Sequence, residues 1–240
     1  MKIGDRSLPN RKFRGVFFDA GNTLIYAPLE EIFAELCERH GVDVKLEKVF
    51  DAYRIFVRED GSFFKENRHK YVDDPITFWT LCNKEMLSYL GVKDGLDSLA
   101  EKITRDYPGS ERVEWRVCDD VPGALEELSD LGLILGVISN FSPVLKEIMG
   151  RLGLEDHFQV ILTSSDVNAL KPDPEIFLIA LERAGTRPEE SVYVGNEYDP
   201  DVVGSRKAGM TPVLLDREYQ IHDIDCVKIS HMGELARLLR

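Results

Sequence analysis

The chain has 240 residues, 43% hydrophobic and 30% charged, with a formal net charge of −13. That is enough apolar material for one large domain or two small ones with a real core, while the acidic balance repels phosphate backbones and argues against a nucleic-acid partner. The N-terminal MKIGDRSLPNRKFRG has no apolar leader, the longest apolar stretches (such as LGLILGVI) are too short to span a bilayer, and the four cysteines are scattered without zinc-site spacing, so the expectation is a cytoplasmic protein with free thiols and no membrane partner.

The first element in the chain is a short apolar run, Gly15–Phe18, which ends at Asp19 and the polar turn Gly21-Asn22-Thr23. Both of its faces are hydrophobic, the pattern of a strand inside a parallel sheet. A long helical stretch follows, over 28–115. In EEIFAELCERHGV, Ile32, Phe33 and Leu36 fall on one face and Gly41 is a stop signal. VFDAYRIFV and TFWTLCNKEMLSYLGV continue the helical pattern, while the polar DGSFFKENRHKYVDDP reads as a loop. Strands and helices then alternate: a helix over Val121–Leu131 with Pro122 near its start, a strand at Ile134–Ile138, a helix over Pro143–Leu152, a strand at Val160–Leu162, a helix over Asp173–Ala184, and strands at Val192–Val194 and Pro212–Leu215. The terminal MGELARLLR reads as a closing helix. The alternation predicts a doubly wound α/β fold around a parallel sheet, with a core of residues 1–27 and 116–240 and an inserted helical subdomain at 28–115.

Open α/β sheets bind ligands outside the carboxyl ends of their strands. Asp19, Asn22 and Thr23 follow the first strand, and Ser139 and Asn140 the second. Thr163, Ser164 and Ser165 follow the third, with Lys171 further on. Gly195, Asn196, Glu197, Asp199 and Asp201 follow the fourth. Any one of these is an ordinary turn or cap residue. Together they place a nucleophile, hydroxyl and amide donors, an ammonium and further carboxylates around one crevice.

Four motifs in order, FFDAGNTL, VISN, LKPDPEIF and YVGNEYDPDVVGSRKAGM, resemble those of the haloacid dehalogenase-like (HAD) hydrolase superfamily, and the helical insertion resembles that family's C1-type cap. The resemblance implies a Rossmann-like core and covalent catalysis. Asp19 attacks phosphorus to form an aspartyl-phosphate, which water then hydrolyses. Thr23 helps fix the nucleophile loop. Ser139, aided by Asn140 and Asn22, binds the phosphoryl group, and Lys171 balances the charge. Mg²⁺ is expected on Asp19, the backbone carbonyl of Gly21, and Asn196 or Asp201, with Glu197 and Asp199 as other acids nearby. Oxygen ligands suit that ion.

Two positions depart from the family pattern. Gly21 stands where its phosphatases usually carry a second Asp, the general acid, whose loss typically forfeits roughly 10²- to 10⁴-fold in rate. Asn196 stands where the metal motif usually has its first Asp. The leading expectation is a Mg²⁺-dependent phosphatase of a small phosphorylated metabolite. Its leaving group either needs no proton or receives one from an inserted-subdomain residue such as Glu59, Asp60, Lys65 or His69. The alternatives are a metal-free 2-haloacid dehalogenase with Arg54, Arg58 or Arg68 holding the substrate, a phosphonate hydrolase using Lys65 or Lys70, and a non-catalytic binding protein.

Overall fold

The computed structural model describes residues 8, 12–57, 62–71, 74–108, 112–219, 221–222 and 224–240. The chain divides into two compact units, Met1–Ala27 with Glu114–Arg240, and Pro28–Val113. Among the described residues no helix is long and apolar enough to cross a membrane.

The strands of the first unit, in chain order, are β1 Gly15–Phe18, β2 Ile25–Tyr26, β3 Arg116–Val117, β4 Ile134–Ser139, β5 Val160–Thr163, β6 Ser191–Gly195, β7 Thr211–Leu215 and β8 Val227–Ile229. Six of them form one parallel sheet in the order β5-β4-β1-β6-β7-β8, and β2 and β3 pair antiparallel. β1 lies centrally, with Phe18 opposite Val137 of β4 and Val194 of β6.

The pleat sends alternate residues to opposite faces, and both faces are covered. Val16, Phe18, Leu135, Val137, Val192 and Val194 pack with Leu125, Leu128, Leu145, Ile148 and Leu235 from the helices on one side. Phe17, Ile138 and Tyr193 pack with Ile176, Phe177 and Leu181 of the helix Pro174–Ala184 on the other. That double burial is why the central strands read as unbroken apolar runs. β8 lies beyond the five expected strands. It is three residues long, and Lys228 between Val227 and Ile229 is exposed. An edge strand of that length has too little pattern to stand out in sequence.

The second unit is helical, with helices at Leu29–Arg39, Leu46–Phe56, Ser62–Asn67, Pro75–Tyr89 and Leu96–Asp106. Phe33, Leu36, Cys37, Val49, Tyr53, Met86, Leu87 and Ile103 form its core. The loop expected at 60–75 is corrected in part: it holds the helix Ser62–Asn67 and a 3₁₀ turn at Arg68–Tyr71. The reason is tertiary. Phe63 packs edge-on against Phe56 at 5.3 Å between ring centroids, and Tyr71 meets Phe78 at 6.4 Å. Two aromatic anchors thus order a segment whose composition is otherwise that of a solvated turn.

Phe17 makes one site in the sheet intolerant of growth. A Cβ at Gly136 would lie 2.6 Å from its ring. Gly136→Ala is therefore expected to lower stability by about 1–3 kcal/mol, read as a lower urea midpoint with an unchanged m-value.

Candidate functional site

The carboxyl ends of β1, β4 and β6 meet at one buried ammonium. Lys171 Nζ donates to Asp19 Oδ1 at 2.6 Å, to Asp201 Oδ1 at 2.7 Å and to the Tyr193 hydroxyl at 2.9 Å. An ammonium has three protons, so all are used. Burial by itself would favour the neutral amine, but Asp19 and then Asp201 outweigh it and hold Lys171 protonated well above the usual lysine range. Ser139 Oγ also donates to Asp19 Oδ1, at 2.9 Å. Asp19 Oδ1 is thereby fixed by two donors, and Oδ2 carries no hydrogen bond from the protein among the described residues.

Each partner is held by its own element. Asp19 follows β1, and its backbone N–H donates to Val194 of β6 at 2.9 Å. Ser139 is the last residue of β4. Tyr193 lies on β6, and its hydroxyl donates to the Ile138 carbonyl at 2.8 Å. Burial, then Asp201 and Asp19, push that phenol well above its ordinary range, so it stays neutral. Asp201 folds back onto the end of β6, where its Oδ2 accepts the Glu197 N–H at 2.9 Å. Gly195 makes this possible, since a Cβ there would lie 2.2 Å from Asp201 Oδ2.

Asp19, Ser139, Lys171 and Asp201 are therefore brought together, and another expected residue, Asn140, has partners that differ from those anticipated. Asn140 was expected at the phosphoryl group. Its side chain instead embraces the backbone of Lys171, donating to the carbonyl at 3.0 Å and accepting the N–H at 2.8 Å. The amide meets both backbone polar groups of one residue, the N–H and the C=O of Lys171, so Asn140 positions the lysine. Asp201 was expected among metal ligands; here its Oδ1 accepts from Lys171 and its Oδ2 from the Glu197 N–H.

Thr23 Oγ donates to Asn196 Oδ1 at 3.0 Å, tying the amide to the loop of Asp19 and Gly21. Asn22 adopts φ 55°, and its side chain is exposed. Asp199 is also exposed. In the second unit, Arg54 is exposed and pairs with Asp51 at 2.9 Å, and Lys70 donates to Asn67 at 3.1 Å. Arg58, Glu59 and Asp60 lie outside the described residues, as do the side chains of Lys65, Arg68 and His69.

Among the described residues no three His, Cys, Asp or Glu side chains cluster as a metal cage. The donors beside the loop are the Asp19 carboxylate, the Gly21 carbonyl and the Asn196 amide oxygen. Such a set of hard oxygens with a single carboxylate fits Mg²⁺, which keeps several waters and takes one or two protein carboxylates.

Sequence reasoning missed Tyr193, Arg217 and Asp120. Tyr193 had a readable signal: a polar tip in an otherwise apolar strand, one residue out of phase with Val192 and Val194. Arg217 and Asp120 had none. Arg217 Nη1 donates to the Asn22 carbonyl at 2.7 Å and Nη2 to the Thr23 carbonyl at 2.9 Å. Nη2 and Nε also hold Asp120, at 2.6 and 3.1 Å.

The sequence profile described as "Haloacid dehalogenase-like hydrolase" matches residues 64–215. The chain is 32% identical, over 85% of its length and 86% of the relative's, to a zebrafish (Danio rerio) protein named haloacid dehalogenase-like hydrolase domain-containing protein 3. It is 30% identical, over 94% of its length and 99% of the relative's, to the glyceraldehyde 3-phosphate phosphatase of Methanothermobacter thermautotrophicus. The crystal structure of a HAD phosphatase from Thermococcus onnurineus superposes with a TM-score of 0.59 at 26% identity, covering 95% of this chain and 98% of that one.

Removing the ammonium strands two buried carboxylates. Lys171→Met is expected to destabilise the fold by about 3–5 kcal/mol, measured by urea denaturation. Lys171→Met with Asp201→Asn recovers part of this loss. Because the lysine's pKa is raised on folding, its contribution is fully present below the unfolded lysine value and fades only as pH rises through the folded one.

Proposed function

Because the chain belongs to the haloacid dehalogenase-like hydrolases, we propose that it is a Mg²⁺-dependent phosphatase that acts on small phosphorylated metabolites through an aspartyl-phosphate on Asp19. The observation that carries this reading is the polarised carboxylate of Asp19. Ser139 and Lys171 occupy Oδ1, which leaves Oδ2 as the attacking atom. The phosphatase names of relatives at this level of identity support the same chemistry.

Asp19 Oδ2 forms a bond to phosphorus as the bond from phosphorus to the leaving oxygen breaks. Water then attacks the phosphorus of the mixed anhydride, and phosphate leaves with Asp19 regenerated. Asp19, Asp201 and Lys171 together carry one negative charge, and a phosphoryl group adds up to about two more. Asn140 and Tyr193 hold Lys171, already counted in that sum, in place, and Ser139 and Asn22 are the side chains assigned to the phosphoryl group. The residues that would hold Mg²⁺ are the Asp19 carboxylate, the Gly21 carbonyl and the Asn196 amide oxygen, and the bound ion supplies the remaining positive charge at the phosphoryl oxygens. In this reading Asp201 anchors Lys171.

Gly21 decides which substrates are fast. It has no side chain to protonate a leaving alkoxide, so acyl and aryl phosphates, whose leaving groups need no proton, should be preferred over alkyl esters. The position has room for the missing group: nothing lies within 4 Å of a Cβ built on Gly21, and its φ is not in the left-handed region.

One observation favours a second reading. Asn196 is uncharged and already holds Thr23, and halide leaves without a proton, so Gly21 and Asn196 both suit a metal-free attack of Asp19 on a 2-haloacid carbon.

The deciding assay is hydrolysis of acetyl phosphate and p-nitrophenyl phosphate with and without Mg²⁺, beside Asp19→Asn. Turnover that needs Mg²⁺ and vanishes in the variant is expected. A folded wild type with no turnover sinks the phosphatase reading, and halide release from 2-chloropropionate then tests the other. Within the phosphatase, the rate should fall steeply as the leaving group becomes more basic. Gly21→Asp should raise turnover of alkyl phosphates by about tenfold or more. A leaving-group plot that is already flat in the wild type would mean that another acid serves.

A further inference from the structure

We infer that Arg217 is a positioning residue for the nucleophile loop, and that Asp120 aims it. The inference rests on the phosphatase reading for its effect on turnover, but the contact itself stands on geometry alone.

The loop after Asp19 folds back on itself. Leu24 and Ile25 both donate to the Ala20 carbonyl, at 2.9 and 3.0 Å, and Asn22 N–H donates to the Ile25 carbonyl at 2.7 Å. In a trans peptide the Gly21 carbonyl points opposite the Asn22 N–H, so that bond sets the direction of the one backbone oxygen assigned to the metal. The same fold places Asn22 in the left-handed region and turns the Asn22 and Thr23 carbonyls toward one point. Two peptide dipoles converging in this way repel unless a cation sits between their negative ends.

The Arg217 guanidinium is that cation. It lies just past the end of β7 and meets both carbonyls, while its other edge is clamped by the two oxygens of Asp120. Asp120 is half-buried, and its side chain accepts the Met232 N–H at 2.8 Å. A planar fork with fixed donor directions can serve two carbonyls and a carboxylate at once, which a lysine cannot. The chain of contacts therefore runs from Asp120 through Arg217 to the peptide groups that carry Thr23, and through Thr23 to Asn196. Arg217 touches neither Asp19 nor any reacting atom, so its effect is on the placement of the loop.

The test uses the full chain with Arg217→Ala, Arg217→Lys and Asp120→Asn. Hydrogen exchange at the amides of Asn22, Leu24 and Ile25 should quicken in Arg217→Ala, with β4 and β5 protection unchanged. With p-nitrophenyl phosphate, kcat should fall by about 10²-fold with KM within about twofold, and the Mg²⁺ concentration for half-maximal rate should rise about tenfold. Arg217→Lys should keep part of the activity, Asp120→Asn should lie between it and the wild type, and millimolar guanidinium ion should partly restore Arg217→Ala. Unchanged exchange in the loop overturns the inference, as does faster exchange with unchanged kcat and Mg²⁺ dependence. A general loss of protection across the sheet overturns it too, since the arginine would then be a stabiliser of the whole unit. If the wild type turns over no phosphate at all, the phosphatase reading fails on its own, and loop exchange decides whether Arg217 sets the loop.

Discussion

A buried lysine between two carboxylates organises this molecule. Lys171 can stay charged away from water only because Asp19 and Asp201 stand within hydrogen-bond distance on either side. Each of those carboxylates in turn tolerates burial only because of the lysine. The arrangement places strict demands on its surroundings. Gly195 must lack a side chain so that Asp201 can lie against the strand end. Tyr193 must carry a hydroxyl to take the third proton. Asn140 must fit the peptide group of Lys171 so that the ammonium arrives from the right direction. Residues of β6 and of the segments that follow β1, β4 and β6 are thus selected by a single charge.

The same interaction separates binding charge from handling protons. Burial pushes the Asp201 carboxyl upward against the opposing pull of Lys171. Lys171 is held charged and Tyr193 neutral by their surroundings, and Gly21 offers only backbone. In the phosphatase reading this set serves nucleophilic attack, while Gly21 gives no side chain to protonate a leaving group and Asn196 gives an uncharged ligand.

The inserted helices obey a simpler logic. Their core is apolar and aromatic, and polar contacts such as the pair of Tyr107 with the Leu29 carbonyl at 2.7 Å sit at its edge. His40 pairs with Asp106 at 2.9 Å. These are packing and capping interactions.

The amino-acid sequence by itself determined the parallel sheet, the order of its main strands and helices, and the residues at the strand ends. Both-face burial writes continuous apolar runs, and ligand crevices lie where those runs stop. Asp19, Ser139 and Lys171 were legible for that reason. Local pattern carries no information about contacts between distant segments, and there only the tertiary structure decided. It turned Asn140 toward the lysine backbone and set Asp201 between Lys171 and the Glu197 N–H. It ordered Ser62–Tyr71 on two aromatic anchors. It also brought Arg217 and Asp120, 97 residues apart, to the loop that follows Asp19. A hydrogen bond depends on where its partners meet in space, and for these residues that meeting point is set by the sheet.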